Sequence, residues 1–220
     1  MDNYLTKWKE RYNKKASSRY DFDLDLILKT FDPSKSIAEL GGAPFKNTFR
    51  IAKERPLLTS FDIKPERFLL TFKNLPFKVE PFNLELDIYE KQEFDGAFLF
   101  EVIEHLSRPL PALANANKML KKEGVFIIST PNLYSYKRII QFIRGKGFDE
   151  AVVHMTKFEK LGHNGHMRLY THNQLTKLLN KAGFEVVQKQ FINHHKRTLL
   201  SKLLNKLRIS EYMYFTCRKM

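Results

Sequence analysis

The feature that most constrains this chain is a regular alternation of short apolar runs with helical stretches. Ser36–Leu40 is an apolar run that stops at Gly41-Gly42, and a helical stretch follows to about Glu54. Leu57–Phe61 forms a second run ending at Asp62, then a helix over Pro65–Phe72. Phe77–Phe82 reads as a third strand, and Phe94–Phe100 as the clearest buried one, apolar on both faces after Asp95. Pro109–Lys121 places Leu110, Leu113, Ala116 and Leu120 on one helical stripe. Val125–Ser129 is the fifth strand, closed by Thr130-Pro131-Asn132. A helix from Asn173 to Ala182 capped by Gly183 comes next, then a strand at Phe184–Phe191, a helix at Lys196–Leu207 and a last strand at Tyr212–Cys217. Strands and helices in this rhythm specify an α/β, doubly wound, mostly parallel sheet with helices on both faces.

Such sheets bind ligands beyond the carboxyl ends of their strands, at the switch point beside strand one. Gly41-Gly42, Asp62 and Asn83 each stand just past a strand end and are therefore expected to converge on one crevice.

Charge adds a second constraint. The 38 Lys and Arg residues against 24 Asp and Glu give +14, which points to a polyanionic partner. The excess sits at the ends: +4 lies in residues 1–20 and +7 in 188–220, leaving only +3 for 21–187. Residues 1–20 read as a basic helical segment with Leu5, Trp8 and Tyr12 on one stripe, and 21–220 as a single domain. Met1–Tyr20 carries no apolar h-region and no run approaches 18 apolar residues, so neither an export signal nor a membrane span is expected. The single cysteine, Cys217, excludes a disulfide framework and a thiolate metal cluster, and fits a reducing compartment. No His-x-x-x-His pair occurs among the seven histidines, so no metal site is expected.

The segment Phe94-Asp-Gly-Ala-Phe-Leu-Phe-Glu-Val-Ile-Glu-His-Leu106, followed by Met119-Leu-Lys-Lys-Glu-Gly-Val-Phe-Ile-Ile-Ser-Thr-Pro-Asn132, resembles the class I S-adenosylmethionine-dependent methyltransferases. Gly165-His-Met-Arg-Leu-Tyr-Thr171 and Leu178-Leu-Asn-Lys-Ala-Gly-Phe-Glu-Val186 resemble a branch acting on small molecules, lipids or surface glycans. The resemblance runs from about residue 20 to the C-terminus and implies a seven-stranded Rossmann-like sheet, a cytoplasmic enzyme and S-adenosyl-L-methionine as cofactor. The first loop departs from the family's acidic-x-Gly-x-Gly-x-Gly: it reads Glu39-Leu-Gly-Gly-Ala-Pro-Phe45, with Ala43 and Phe45 in the places of the second and third glycines. Both side chains restrict positive φ and close approach of backbone to ligand.

The resemblance implies that Glu39, Gly41, Gly42 and Ala43 meet the methionine end of the cofactor, the glutamate through its ammonium group. Asp62, with Ile63 beside it, ends strand two where a carboxylate accepts hydrogen bonds from ribose hydroxyls, a role compatible with capping the following helix. Asn83, followed by Leu84, falls where the adenine amino group is held, with Glu85 and Asp87 as rivals. Glu101 is expected near the transferable methyl. Transfer from a sulfonium needs alignment, and a hydroxyl acceptor also needs a proton removed; His105 and His166 are the candidate bases, each alternatively a residue that orders its loop.

Residues 133–165 read as a lid-like insertion or an ordinary partly helical one, rich in aromatic and basic side chains. The Lys196–Leu207 helix sets Leu199, Leu200, Leu203, Leu204 and Leu207 on one side among Lys and Arg, a pattern shared by helices docked on a sheet and by interfacial membrane helices. The expected activity is methyl transfer to an oxygen, in preference to a nitrogen, of a small-molecule, lipid-linked or glycan acceptor, with peripheral contact to an anionic membrane. The alternatives are a catalytically weak cofactor-fold protein binding an anionic partner through its basic ends, or a nucleic-acid methyltransferase. The second lacks an Asn-Pro-Pro-aromatic motif, and a nicotinamide dehydrogenase lacks Gly-x-Gly-x-x-Gly.

Overall fold

The computed structural model of the chain describes residues 18–65, 75–146, 165–193 and 199–220. The basic stripe at Leu5, Trp8 and Tyr12, most of the helix expected at Pro65–Phe72, and His163, His194 and His195 lie outside the described residues.

Seven strands form one sheet in the order β3-β2-β1-β4-β5-β7-β6. They are β1 (Ile37–Leu40), β2 (Leu58–Asp62), β3 (Lys78–Pro81), β4 (Phe94–Phe100), β5 (Leu120–Pro131), β6 (Phe184–Ile192) and β7 (Tyr212–Lys219). The first five run parallel, and β7 is antiparallel to both β5 and β6. Neighbouring β1 and β4 are where chain order reverses, so their carboxyl ends open a crevice.

The pleat sends alternate residues of each strand to opposite faces. On β4, Ala97 and Leu99 enter one core with Leu40, Phe126 and Ile128, whereas Phe98 enters the other with Ile37, Leu58 and Ile127. The first core is closed by α3 (Pro109–Met119), through Ala112, Leu113, Ala116 and Met119, and by α5 (His172–Lys181), through Leu175 and Leu179. The second is closed by α1 (Ser18–Thr30), through Leu26 and Ile27, and by α2 (Lys46–Glu54), through Ile51 and Ala52. Both faces are therefore covered, and a fully buried Phe98 or Leu99 contributes about 1.5–3 kcal/mol each.

Local chemistry sets the element ends. Thr171 and Gln174 form a reciprocal capping box at the start of α5, and Gly183 follows its end at φ 85°. Buried Arg55 donates to the carbonyls of Leu28 (2.8 Å) and Phe31 (2.6 Å), satisfying the C-terminal end of α1. One expectation shifts here. Helix α3 stops at Met119, because Leu120 pairs with Phe94 and already belongs to β5. On α6 (Leu199–Lys206), Leu200 and Leu203, with Leu207 just beyond the helix, are each more than half exposed. Residues 136–143 form α4 (Tyr136–Ile143), and buried Arg138 donates to the Asn132 carbonyl at 2.8 Å. No described helix is long and apolar enough to cross a membrane.

Candidate active site

A cavity of about 490 Å³ opens at the carboxyl ends of β1, β2 and β4. Glu39, Gly41, Gly42, Ala43, Asp62, Ile63, Asn83, Leu84 and Glu101 all line it, as does His105. The crevice that strand order prescribes is thus the one on which these residues converge. His166 stands outside the lining but against His105, their rings 4.9 Å apart between centroids. No residue of 133–146 lines the cavity.

The loop after β1 is shaped by crowding beneath it. Gly41 takes φ 79°, and a Cβ there would lie 2.7 Å from a Val102 methyl. A Cβ on Gly42 would lie 2.1 Å from Ser60 Oγ and 2.4 Å from Glu39 Oε2, so this glycine is required by the groups under the loop. The amide of Ala43 donates to Asp62 Oδ2 at 3.1 Å, and that of Lys64 to Oδ1 at 3.3 Å. Phe45 departs from expectation. It adopts φ 64° although it is not glycine, and its ring is completely buried in the second core, 5.9 Å from the Phe77 ring. Core burial holds the left-handed backbone that a glycine would otherwise supply, and the ring turns inward.

Two buried carboxylates, Glu39 and Asp23, and a half-buried one, Glu101, are held at this end of the sheet by hydroxyls or a cation. Glu39 Oε2 accepts from Thr48 Oγ1 (2.5 Å) and Ser60 Oγ (2.9 Å), and burial pushes its pKa up to about 7. Glu101, at φ 57°, accepts from Ser129 Oγ at 3.0 Å and pairs with Arg19 at 3.4 Å; burial, followed by the neighbouring Glu104, raises its pKa. Asp23 accepts from Tyr214 Oη at 2.8 Å, and burial raises it to about 7. Arg19, Tyr20 and Asp23 reach the cavity from α1, an element the sequence reading does not assign. Arg19 also lies over the Tyr20 and Tyr212 rings at 5.2 and 5.8 Å.

Beyond β3, Asn83 Oδ1 accepts the Glu85 amide at 3.0 Å, and the Asn83 amide donates to Asp87 Oδ2 at 2.6 Å. Glu85 itself accepts from the Arg108 amide. The three polar rivals for an adenine contact therefore shape one turn together, while Leu84 is buried beside them. On the β4 side, His105 closes a short 3₁₀ turn (Ile103–His105), and its Nδ1 contacts the Gly165 carbonyl at 3.1 Å. The amides of Met167 and Arg168 donate to the Glu104 carbonyl at 2.8 and 3.3 Å. These bonds bring the 165–168 segment, and with it His166, onto the turn after β4.

A doubly wound sheet with a crevice at the carboxyl ends of its first strands defines a class of nucleotide-cofactor-binding enzymes. The chain belongs to that class through the methyltransferase-domain family, which it matches over residues 12–189. It is similar to a ubiquinone biosynthesis O-methyltransferase of Dinoroseobacter shibae, 31% identical over 102 residues. That match spans 45% of this chain and only 37% of the relative. A methyltransferase of Thermotoga maritima described as a possible histamine N-methyltransferase has the same fold, with a TM-score of 0.64 at 16% identity, covering 100% of this chain and 96% of that one. So has an S-adenosylmethionine-dependent methyltransferase of Mesorhizobium loti, with a TM-score of 0.63 at 15% identity, covering 90% and 96%. The chain thus carries a methyltransferase domain, and it spans little more than a third of the curated relative it matches.

Proposed function

We propose that this enzyme moves the sulfonium methyl to a hydroxyl oxygen of a small or lipid-linked acceptor, working against an anionic membrane surface. The observation that carries the reading is the His105–His166 pair, set 4.9 Å apart beside the cavity wall that bears Glu101. In this reading Glu39 takes the ammonium of the cofactor, Gly41, Gly42 and Ala43 pass along its methionine end, and Asp62 with Ile63 takes the ribose. Asn83 and Leu84 hold the adenine, and Glu101 stands by the sulfonium. An in-line displacement asks the protein mainly for alignment. As the acceptor oxygen bonds to the methyl carbon, the sulfur–carbon bond breaks, the cofactor leaves as a neutral thioether, and the hydroxyl proton goes to the histidine pair. An amine acceptor deprotonated in solution needs no such group, which favours oxygen. The 31% identity to an O-methyltransferase of ubiquinone biosynthesis supports an oxygen acceptor.

Two exposed apolar faces support a lipid-linked acceptor. Leu200, Leu203 and Leu207 are exposed around α6 with Lys202, Lys206 and Arg208, the composition of an interfacial helix. Ile140, Phe142 and Ile143 are exposed on α4, in the 133–165 segment read as a lid. The test uses methyl-labelled cofactor with a prenylated phenol in anionic vesicles, a soluble phenol and a primary amine. Label on the phenol oxygen, faster in anionic than in neutral vesicles, is the expected result. Label on the amine alone overturns the oxygen reading, and equal rates in both vesicle types overturn the membrane reading. His105→Asn keeps cofactor affinity and loses most turnover; a fully active variant moves the proton transfer elsewhere.

A further inference from the structure

Glu104 is fully buried, and the fold treats its two carboxylate oxygens unequally. Oε2 accepts from Thr130 Oγ1 at 2.9 Å. Oε1 is buried with no hydrogen-bond partner among the described residues. A buried carboxylate oxygen left without a partner costs several kcal/mol unless a cation or donor meets it. Two imidazole nitrogens stand near it: Nε2 of His105 at 4.0 Å and Nε2 of His166 at 3.9 Å. These separations are too long for hydrogen bonds. One ligand atom from each of the three side chains falls within 4.8 Å of the others.

We propose that Glu104, His105 and His166 form a site for one first-row divalent cation at the edge of the cofactor cavity. Ligands bound about 2.0–2.2 Å from a tetrahedral ion stand roughly 3.4 Å apart, so the three side chains close in by about an ångström or less on average. The ring of His105 is already set for this. Its Nδ1 faces the Gly165 carbonyl, which can only accept, so this contact favours the tautomer that carries its proton on Nδ1 and directs Nε2 toward Glu104. A backbone carbonyl behind one ligating imidazole and a hydroxyl behind the carboxylate, here Thr130, are the outer contacts that orient ligands. One carboxylate oxygen with two imidazoles suits zinc, manganese, iron or cobalt over magnesium or calcium, which prefer oxygen alone.

The expectation of no metal rested on local spacing. These ligands come from the turn after β4 and from a distant segment held against it by the Glu104 carbonyl, so no short motif contains them. Three protein ligands leave a coordination position open. An acceptor hydroxyl in that position loses its proton to solvent under the cation's pull, and the resulting oxyanion attacks the methyl carbon as the sulfur–carbon bond breaks. This use rests on the oxygen-acceptor reading and replaces direct proton uptake by the histidines. The cation site itself rests on the three side chains alone.

The probe is Co²⁺, titrated calorimetrically and by visible absorption into the full chain after chelator treatment, with S-adenosylhomocysteine present. One equivalent is expected, with ligand-field bands, and affinity falling roughly 100-fold or more in Glu104→Gln and in His166→Ala. Binding absent in the wild type, or equal in wild type and both variants, overturns the site. Because Glu104→Gln removes a buried charge and can alter folding, His166→Ala is the second arm, and each variant is checked for retained S-adenosylhomocysteine binding. Loss of Co²⁺ binding with retained cofactor binding supports the site. Failure of phenol methylation while Co²⁺ still binds counts against the acceptor reading alone.

Discussion

The Asp62 carboxylate accepts the amide hydrogen of Ala43 at 3.1 Å, so the end of β2 tethers the loop that follows β1. A carboxylate in this position keeps lone pairs for a ligand, and on the proposed reading Asp62 both shapes the loop and takes the cofactor ribose. Asp62→Ala removes both functions and is expected to weaken cofactor binding by about 1–3 kcal/mol, through loss of charge-assisted bonds. Asp62→Asn keeps an oxygen for Ala43 and loses the charge, so it falls between the two. Calorimetric titration with S-adenosylhomocysteine measures this, and an unchanged affinity in Asp62→Ala would place the ribose elsewhere.

Glu39 gives a pH signature. Its carboxyl is raised to about 7 in the folded protein by burial, against an ordinary value of 4.5. The folded state therefore binds its proton more tightly than the unfolded state. The stability this contributes is fully present below about pH 4.5 and is lost as pH rises through about 7. In Glu39→Gln that loss between pH 5 and 8 becomes shallower; Asp23, raised to about 7, supplies part of what remains. Cofactor binding runs the other way, because the ammonium of the cofactor favours the ionised carboxylate. Affinity in the wild type is expected to increase from about pH 6 to 8, and to flatten at a lower level in Glu39→Gln. Parallel pH profiles of the two proteins would show that Glu39 does not meet the ammonium.

Strands with continuous apolar runs were legible because a strand buried on both faces needs them, and Phe94–Phe100 is the plainest case. Their order then placed Gly41, Asp62 and Asn83 in one crevice without any contact being known. Helix α1 was not legible for a physical reason. Tyr20-Asp-Phe-Asp-Leu-Asp-Leu26 alternates polar and apolar with the period of a strand, yet folds as a helix with Asp23 turned inward to Tyr214. The cavity wall formed by Arg19 and Asp23 was missed with it. The Phe45 substitution misled in a different way: the φ it requires is visible in the pattern of glycines it interrupts, but the compensating burial of its ring against Phe77 exists only in three dimensions.

Phe45 therefore belongs to stability more than to ligand contact. Phe45→Ala leaves a void in the second core and keeps the strained backbone, and is expected to destabilise by about 3–5 kcal/mol. Phe45→Gly relieves the left-handed φ of 64° and recovers about 1 kcal/mol of that loss. Denaturant unfolding of both variants checks the order. Equal stability of wild type and Phe45→Ala would mean that the ring does not hold the loop.

Glu101 and Arg19 share a partly buried ion pair at the end of β4, with side-chain exposures of 12% and 27%. On the proposed reading, ionised Glu101 attracts the sulfonium of S-adenosylmethionine, while the thioether of S-adenosylhomocysteine carries no such charge. Glu101→Gln removes that attraction and leaves the Arg19 cation with Asp23 as its remaining acidic neighbour. Binding of S-adenosylmethionine is expected to weaken by roughly tenfold more than binding of S-adenosylhomocysteine, on the order of 1–2 kcal/mol for a charge pair near a protein surface. Because burial raises the Glu101 pKa, the preference of the wild type for the sulfonium grows as pH rises and the carboxyl ionises. The Gln variant shows no such growth. Paired titrations with the two ligands at pH 6.5 and 8.5 measure the difference, and equal losses at both values would remove Glu101 from the methyl end of the cavity.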